Sequence, residues 1–530
     1  MSVADLLAEA RTAVPDGVAL REPETGRVVT WAELDDEVDR IAAGLGRLGL
    51  VAGYRVLLAL TNRVEFVTAY LAVLRARLVA VPVNPRSATG EVVRIMADCG
   101  ARAVFADSAT VTMVRSAIAG IEDALAAADD DLARVTPVPQ LVGVGVPVLG
   151  SEAAYASLLA ERGSTGAFST PDPESLAVLL YTSGTSGRPR AAMLSHRALL
   201  ANIEQVARVE PLMIGPGDVI YGVLPLFHVY GLNAVLGVVL KQRATLVLAS
   251  SFDVEGSLET IRDQGVTVVP VAPPVFAYWR GVDGLAGCLA GVRMLLSGSA
   301  PLAPEVVAEF AERTGKPIHQ GYGLTEAAPV VTSTLCSATL KPGSVGAPLP
   351  GVEVCIVDDS GEATGTTEAQ DDVGEIRVRG ANLFSGYWPD GADGPDADGW
   401  YGTGDVGYLD DEGDLFLVDR LKELVIVSGF NVYPTEIEEL IDTVPGVSEN
   451  AVIGTPDPAT GEAVVAYVVP EPGAVDIEAV VRERCLHELA RFKQPKEIHV
   501  VPELPKTVTG KVAKGRLRAA RRRANLGLLE

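Results

Sequence analysis

A run of small residues that carry hydroxyls or no side chain directly follows an apolar segment. Residues 180–195 read LYTSGTSGRPRAAMLS, with Arg188 and Arg190 just after the run. The backbone amides of such a loop can surround a polyphosphate, and glycine lets the backbone approach closely. The GxxxxGK[ST] spacing of a Walker loop is absent. The run therefore predicts an anion-binding loop, with a Ser/Gly-rich surface turn as the alternative. Its residues are Thr182, Ser183, Gly184, Thr185, Ser186 and Gly187.

The composition restricts the classes of protein to which the chain can belong. With 530 residues, 48% hydrophobic and 21% charged, the sequence predicts a large buried core and two or more domains. A net charge of −25 argues against a general nucleic-acid binder, although a basic cluster lies at residues 506–523. The alternative for that cluster is a solvated basic helix.

The cysteines and the N-terminus point to a cytoplasmic protein. Five scattered cysteines lack metal-ligand or CxxC spacing, which favours reduced thiols in the cytosol. The sequence MSVADLLAEA has neither the basic start nor the long apolar core of a signal peptide. Residues 219–240 carry no Asp, Glu, Lys or Arg, but their Pro, His and Gly residues predict a buried strand, loop and helix rather than a membrane span.

Short apolar runs alternate with stretches of helical spacing over most of the chain. This alternation predicts an α/β protein with parallel sheets covered by helices. Strands are predicted at 55–60, 79–83, 103–106, 244–249, 266–271, 292–296 and 317–319, and helices at 31–48, 65–78, 91–99, 254–264 and 304–314. Residues 119–163 predict loops, and residues 390–399 a polar loop. After Tyr408 the pattern changes to a smaller α+β unit, with a helix predicted at 434–444 and another at 477–488.

Further motifs follow the small-residue loop in a fixed order. They read PLFH at 225–228, SGSAPL at 297–302, QGYGLTE at 320–326, WYGTGD at 400–405, DRLKE at 419–423, SGFNVYP at 428–434 and LPKTVTGK at 504–511. Together with the loop, they resemble the adenylate-forming superfamily of acyl-CoA synthetases, peptide-synthetase adenylation domains and luciferases. The resemblance covers residues 31–518, nearly the whole chain, and is strongest to fatty-acid and 4-coumarate-type CoA ligases.

The resemblance implies a two-step reaction and a two-domain fold. ATP and a carboxylate give an acyl-adenylate and pyrophosphate, and a thiol, usually CoA, then displaces AMP. The expected fold has a large N-terminal domain of layered sheets and helices, residues 1–419, which binds AMP and the acid. A small mobile α+β domain, residues 420–530, would carry the catalytic lysine. ATP, Mg²⁺ and CoA are the expected cofactors, and a small carboxylic acid is the expected partner.

The same resemblance assigns residues to the nucleotide. Thr182 and Glu326 would lie near Mg²⁺, for which carboxylate oxygen is a suitable hard ligand. Asp405 and Arg420 would hold the ribose, and Thr325 would reach the α-phosphate. Ser299, Ala300, Pro301, Gln320, Gly321 and Tyr322 would line the adenine slot. The alternatives are an ordinary carboxylate at a helix start for Glu326 and simple turns for the glycines.

Catalysis and thiol transfer are assigned in the same way. Lys511 would join the carboxylate and the α-phosphate, and Lys422 occupies the hinge position. His228 resembles the gate between the acyl pocket and the thiol tunnel, with a buried structural histidine as its alternative. Ser428, Gly429 and Phe430 would lie over the entry of CoA.

The acyl pocket would be apolar. Its expected residues are Val229, Tyr230, Asn233, Gly298, Gly323 and Leu324. No charged side chain is among them, which favours a fatty or aryl acid over an amino acid, since each buried CH₂ contributes about 0.8 kcal/mol.

Two departures from the family pattern leave alternatives open. The phosphate loop usually ends Pro-Lys-Gly but reads Pro189-Arg190-Ala191 here. Arginine keeps the charge in a wider, forked group, and alanine removes the freedom for positive φ, so pyrophosphate handling could change. The first hypothesis is an acyl-CoA ligase, the second an acyl-AMP ligase that loads a carrier protein, and the third a nucleotide-binding relic without catalysis.

Overall fold

The computed structural model describes residues 1–127, 137–160, 172–182, 190–300, 302, 304–357, 373–420, 425–427, 430–457, 460–489, 491–507 and 511–525. The chain forms two compact units. The larger contains Met1–Ser183, Pro189–Glu353 and Val378–Tyr401, and the smaller is formed mainly by Val354–Arg377 and Gly402–Glu530.

The first sheet of the larger unit has seven strands and ends at the small-residue loop. In spatial order its strands are Ala153–Ala154, Gln140–Gly143, Ala103–Ala106, Arg55–Ala59, Val79–Pro82, Leu176–Thr182 and Arg190–Ser195. All neighbours are parallel except the last pair. The central strands are buried on both faces, which explains their continuous apolar runs.

The second sheet of the larger unit also has seven strands. Their order is Ile318–Gln320, Met294–Ser297, Val268–Val271, Val219–Gly222, Thr245–Leu248, Val18–Glu22 and Arg27–Thr30. Here too only the terminal hairpin is antiparallel. The prediction of an α/β fold with parallel sheets is confirmed.

The helices of the larger unit connect these strands. They are Asp5–Ala13, Trp31–Arg47, Val64–Arg75, Thr89–Cys99, Val111–Ala127, Tyr155–Ala160, His196–Ala207, Val238–Gln242, Val254–Asp263, Pro273–Trp279, Leu285–Cys288 and Pro304–Thr314. Helix Trp31–Arg47 begins as its sequence indicates. The Thr30 hydroxyl accepts from the amide of Glu33, and the Glu33 carboxylate accepts from the amide of Thr30.

The prediction of loops over residues 119–163 is wrong for much of that range. Helix Val111–Ala127 continues into it, strand Gln140–Gly143 joins the first sheet, and Tyr155–Ala160 is a short helix. The strand is too short for its apolar pattern to be recognised from sequence. Its neighbour Ala103–Ala106 supplies the pairing, and the Tyr155 ring packs edge-on against Phe105.

Residues 219–240 form the expected strand, loop and buried helix. The helix begins as a π-helix, Tyr230–Gly237, and continues as Val238–Gln242. Across the part of the chain that the structure describes, no helix has the length and apolarity that crossing a membrane requires.

The remaining strands lie in three further sheets. Thr332–Ser333 pairs with Ala347–Pro348, and a four-stranded sheet has the order Val352–Val357, Gly374–Gly380, Trp400–Leu409 and Leu415–Arg420. The last sheet runs Phe430–Val432, Val425–Val427, Gly461–Pro470 and Val447–Asp457, with Glu497–Val500 parallel to Gly461–Pro470. Helices Pro434–Asp442, Ile477–Glu488 and Lys514–Asn525 accompany it, and its buried core includes Ile437, Val464 and Val481.

Candidate functional site

The small-residue loop is flanked by two paired strands. Thr182 ends strand Leu176–Thr182, and Arg190 begins strand Arg190–Ser195 directly opposite it. The Thr182 hydroxyl donates to the carbonyl of Arg190 at 3.3 Å. The other predicted loop residues, Ser183, Gly184, Thr185, Ser186 and Gly187, lie outside the described residues. Both flanks are therefore fixed by the edge of the first sheet.

Glu326 lies on a single 3₁₀ turn, Thr325–Ala327, after the motif's glycines. Its Oε1 accepts a 2.5 Å hydrogen bond from the Tyr387 hydroxyl. Burial and the neighbouring Glu326 carboxylate raise the pKa of Tyr387, so this hydroxyl keeps its proton and donates. The Arg190 guanidinium lies 3.8 Å from the centre of the Tyr387 ring, and its Nη2 is 2.7 Å from Oδ2 of Asp393. The structure thus brings Arg190 and Glu326 together through Tyr387, whose role the sequence did not reveal.

The two glycines around Tyr322 are required by close packing. A Cβ on Gly321 would lie 2.7 Å from the carbonyl oxygen of Thr332, and one on Gly323 would lie 2.3 Å from that of Pro329. Tyr322 itself is buried, and Gln320 ends the strand before it. The chain turns back on itself here, and Leu324, Thr325 and Glu326 follow the turn.

The motif at 297–302 follows the end of strand Met294–Ser297. Ser299 has φ +77°, a left-handed conformation that a residue with a Cβ adopts at a cost of about 1 kcal/mol. A Cβ on Gly298 would lie 2.9 Å from Cε1 of Tyr230. Ala300 follows in the chain, and Pro301 lies outside the described residues. Gly298 and Tyr230, both predicted for the acyl pocket, are therefore in contact range.

His228 lies two residues before the π-helix Tyr230–Gly237. Its Nδ1 accepts from the amide of Tyr230 at 3.3 Å, and its carbonyl accepts from Leu232. Burial raises the pKa of the Tyr230 hydroxyl. Val229, next to them, is 2% exposed.

Asn233, which was predicted to line the acyl pocket, is fully buried. Its side chain has 0% exposure. Its Nδ2 donates to the carbonyls of Leu199 at 3.1 Å and Ala328 at 2.7 Å. In the structure this amide stabilises the backbone next to Glu326, and its place in the acyl pocket stays a prediction.

Two more buried amides hold the same segment. Asn382 donates to the carbonyl of Ala327 at 2.7 Å. Asn202 donates to the carbonyl of Val330 at 2.8 Å and accepts from its amide at 3.1 Å. Ala328 has φ +59°, and these bonds compensate for that irregular backbone. The sequence did not single out Asn202 or Asn382, because nothing local marks an amide that bonds a distant carbonyl.

The predicted ribose pair lies on one hairpin of the smaller unit. Asp405 and Arg420 are directly opposite each other on strands Trp400–Leu409 and Leu415–Arg420. Asp405 is 8% exposed, and its amide donates to the Thr403 hydroxyl. The Glu375 carboxylate accepts from the amide of Gly404. The side chain of Arg420 is not among those described.

Lys511 is exposed and bonds Thr507 in the smaller unit. Its amide donates to the Thr507 hydroxyl at 3.1 Å, and its carbonyl accepts from the Thr507 amide at 2.6 Å. Buried Leu504 and Leu517 anchor the segments on either side. Lys422, Ser428 and Gly429 lie outside the described residues, and Phe430 is described by its backbone alone, in strand Phe430–Val432.

The donors around Glu326 fit a nucleotide-bound Mg²⁺. The ion is commonly held by one or two protein oxygens together with substrate phosphates and water. The Glu326 carboxylate and the Thr182 hydroxyl supply oxygens of this kind, and the Tyr387 bond fixes the direction of that carboxylate. The residues present are therefore suited to the expected ion.

Known proteins match the chain over nearly its whole length. The pattern of the family described as AMP-binding enzyme matches residues 7–388, and that of the AMP-binding enzyme C-terminal domain matches residues 436–511. A 4-coumarate–CoA ligase 5 of Oryza sativa subsp. japonica is 33% identical over 518 residues, which cover 95% of this chain and 92% of that protein. A long-chain-fatty-acid–CoA ligase of Bacillus subtilis (strain 168) is 32% identical over 97% of this chain and 93% of that protein. The crystal structure of ATP-bound MatB from Rhodopseudomonas palustris has a TM-score of 0.86 and 32% identity, with 98% of this chain and 99% of that chain covered.

Proposed function

The chain belongs to the AMP-binding enzyme family, and from this premise we propose that it activates a fatty or aryl carboxylic acid and transfers it to CoA. Membership confirms the predictions of an AMP-forming acid–thiol ligase and of ATP and CoA as its substrates. We propose a fatty or aryl acid because the relatives include a 4-coumarate–CoA ligase and a long-chain-fatty-acid–CoA ligase.

The first half-reaction joins the acid to AMP. An oxygen of the carboxylate attacks the α-phosphorus of ATP, and the bond to pyrophosphate breaks. Two anions must approach each other, so cationic groups and donors at the α-phosphate lower the barrier. Thr182 and Glu326 would hold Mg²⁺, which neutralises phosphate charge when it is bound. Lys511 supplies a positive charge to the carboxylate and the α-phosphate, and Thr325 a hydroxyl.

The second half-reaction forms the thioester. The sulfur of CoA attacks the acyl carbon, and AMP leaves with the electron pair of the anhydride bond. His228 gates the acid from the thiol, Lys422 is the hinge, and Ser428, Gly429 and Phe430 border the entry of CoA. In this assignment residues 1–419 bind AMP and the acid, and residues 420–530 carry the catalytic lysine.

Other residues orient the two substrates. Asp405 and Arg420 bind the ribose, and Tyr322 stacks on adenine. Tyr230 and Gly298, which are in contact range, form the wall of the acyl pocket. Cys99, Cys288, Cys336 and Cys485 are free thiols, which supports a reducing compartment such as the cytoplasm.

The observation that carries the proposal is the arrangement around Glu326. Tyr387 donates to the Glu326 carboxylate and carries the Arg190 guanidinium over its ring. In the smaller unit, the exposed Lys511 ends the LPKTVTGK motif. This retention of polar groups supports an active enzyme over a relic.

A panel of acids tests the proposal. Pyrophosphate release and thioester formation are measured with octanoate, palmitate, benzoate and 4-coumarate, with and without CoA. We expect release with at least one acid and CoA-dependent turnover with the same acid. Release followed by transfer to a carrier protein, without CoA turnover, would indicate the acyl-AMP ligase instead. No release with any acid would overturn the proposal.

A further inference from the structure

A chain of four side chains leads from an exposed loop to the Glu326 carboxylate. Asp393 pairs with Arg190 at 2.7 Å, and the Arg190 guanidinium lies 3.8 Å from the centre of the Tyr387 ring. The Tyr387 hydroxyl then donates to Oε1 of Glu326 at 2.5 Å. All four residues belong to the larger unit.

Backbone hydrogen bonds fix the relative positions of these residues. The strand that begins at Arg190 pairs with the segment that carries Tyr387, and that segment in turn bonds the turn that carries Glu326. These bonds are Trp388 N to Ala191 O at 2.9 Å, Met193 N to Gly386 O at 3.0 Å, Ser385 N to Met193 O at 2.9 Å and Phe384 N to Glu326 O at 2.8 Å. The side-chain arrangement is therefore built into the sheet edge.

The loop that supplies Asp393 is shaped to reach Arg190. The amide of Tyr387 donates to the carbonyl of Ala392, and that of Gly391 donates to the carbonyl of Tyr387. Gly386 has φ +87°, and a Cβ there would lie 2.1 Å from the carbonyl oxygen of Gly391. Asp393 has φ +53°. The loop closes tightly on itself, and its end meets the guanidinium.

We propose that Arg190, Tyr387 and Asp393 are positioning residues that hold the Glu326 carboxylate in place for Mg²⁺-bound ATP. Asp393 keeps the guanidinium over the Tyr387 ring, and the ring's hydroxyl fixes Oε1 of Glu326. A planar guanidinium stacks on an aromatic face in a way that a lysine ammonium does not. Arg190 therefore helps to fix the position of the Tyr387 ring. The inference rests on the proposed role of Glu326 as a magnesium ligand.

Nucleotide binding tests the inference without relying on turnover. The affinity of a non-hydrolysable ATP analogue is measured by calorimetry with Mg²⁺ and with EDTA, and the ratio of the two affinities is the magnesium advantage. A hydrogen bond to a charged group contributes about 1.5–3 kcal/mol, which corresponds to about 10–150-fold. We expect Tyr387→Phe to reduce the magnesium advantage by about tenfold or more.

A matched control lies on strand Leu176–Thr182, which pairs with strand Arg190–Ser195. The Tyr181 hydroxyl donates to Oδ2 of Asp98 at 2.6 Å, so Tyr181→Phe also removes a tyrosine–carboxylate bond. This variant should leave the magnesium advantage unchanged. Asp393→Asn should reduce it by about two- to fivefold, because an exposed ion pair contributes less than about 1 kcal/mol. Arg190→Lys should retain more of it than Arg190→Met.

The outcomes separate the inference from the proposed function. If Glu326→Gln leaves the magnesium advantage intact, Glu326 is not a magnesium ligand, and the role given to it in the proposed function is wrong. If Glu326→Gln abolishes the advantage while Tyr387→Phe behaves like Tyr181→Phe, the inference is overturned and the proposed function stands. A lower thermal midpoint of Tyr387→Phe with an unchanged magnesium advantage would likewise reduce Tyr387 to a structural role and overturn the inference.

Discussion

Replacement of Asn233 by alanine distinguishes a structural amide from a residue that contacts the acid. The change removes donors to the carbonyls of Leu199 and Ala328 from a side chain with no exposed surface. Two hydrogen bonds contribute about 1 kcal/mol each, and a buried carbonyl left without its donor adds about 1–3 kcal/mol. We therefore expect Asn233→Ala to lower the free energy of unfolding by about 3–5 kcal/mol.

The function of this variant should change without a change in acid preference. Because Ala328 lies two residues after Glu326, we expect weaker ATP binding and the same ranking of acids as in the unmodified enzyme. Urea unfolding gives the free energy, and turnover with the acid panel gives the ranking. Gly298→Ala is the companion variant, since its Cβ would meet the Tyr230 ring at 2.9 Å. Gly298→Ala should alter the ranking of acids while the free energy of unfolding changes little. A stable Asn233→Ala protein with a new acid preference would refute this reasoning.

Three further outcomes are expected. Lys511→Ala should slow acyl-adenylate formation by about 10²–10³-fold, while preformed acyl-adenylate should still react with CoA. Lys506→Ala removes an exposed ion pair with Glu449 and is the control in the same rate assay. Ser299→Gly should raise the thermal midpoint of unfolding, because glycine relieves up to about 1 kcal/mol of backbone strain at φ +77°. An unchanged or lower midpoint would contradict this expectation. Burial lowers the pKa of His196 to about 4 from 6.5. The unfolded chain then binds the proton more readily, so stability should fall by about 3 kcal/mol as the pH drops from 6.5 to 4, and His196→Gln should flatten this dependence in urea titrations at each pH.

Local signals account for most of what the sequence predicted about the fold. Helix Ile477–Glu488 has the bounds that its apolar spacing indicates, and helix Trp31–Arg47 begins at its capping box. The parallel sheets follow from buried runs such as Ala103–Ala106, which were recognisable because both faces of the strand are covered. Strand Gln140–Gly143 could not be predicted from the sequence, because its short apolar run becomes a strand only by pairing with Ala103–Ala106.

The candidate site shows a different limit. The sequence motif identified Glu326 but not the partner that orients it, because Tyr387 is 61 residues away along the chain. The buried amides of Asn202, Asn233 and Asn382 bond backbone atoms that are also distant in sequence. Motifs identify which residues could do chemistry, whereas long-range pairing determines which groups hold them in position.

The two departures in the phosphate loop differ in their consequences. Ala191 pairs with Tyr181 inside a regular antiparallel strand, is 2% exposed and has no positive φ, so the site does not require glycine there. The alanine therefore causes no backbone strain at position 191. Any change in pyrophosphate binding or release depends on Arg190. That guanidinium is already engaged by Asp393 and the Tyr387 ring. An arginine that has lost its function would be expected to extend into solvent. The contacts of Arg190 with Asp393 and Tyr387 therefore argue against a relic.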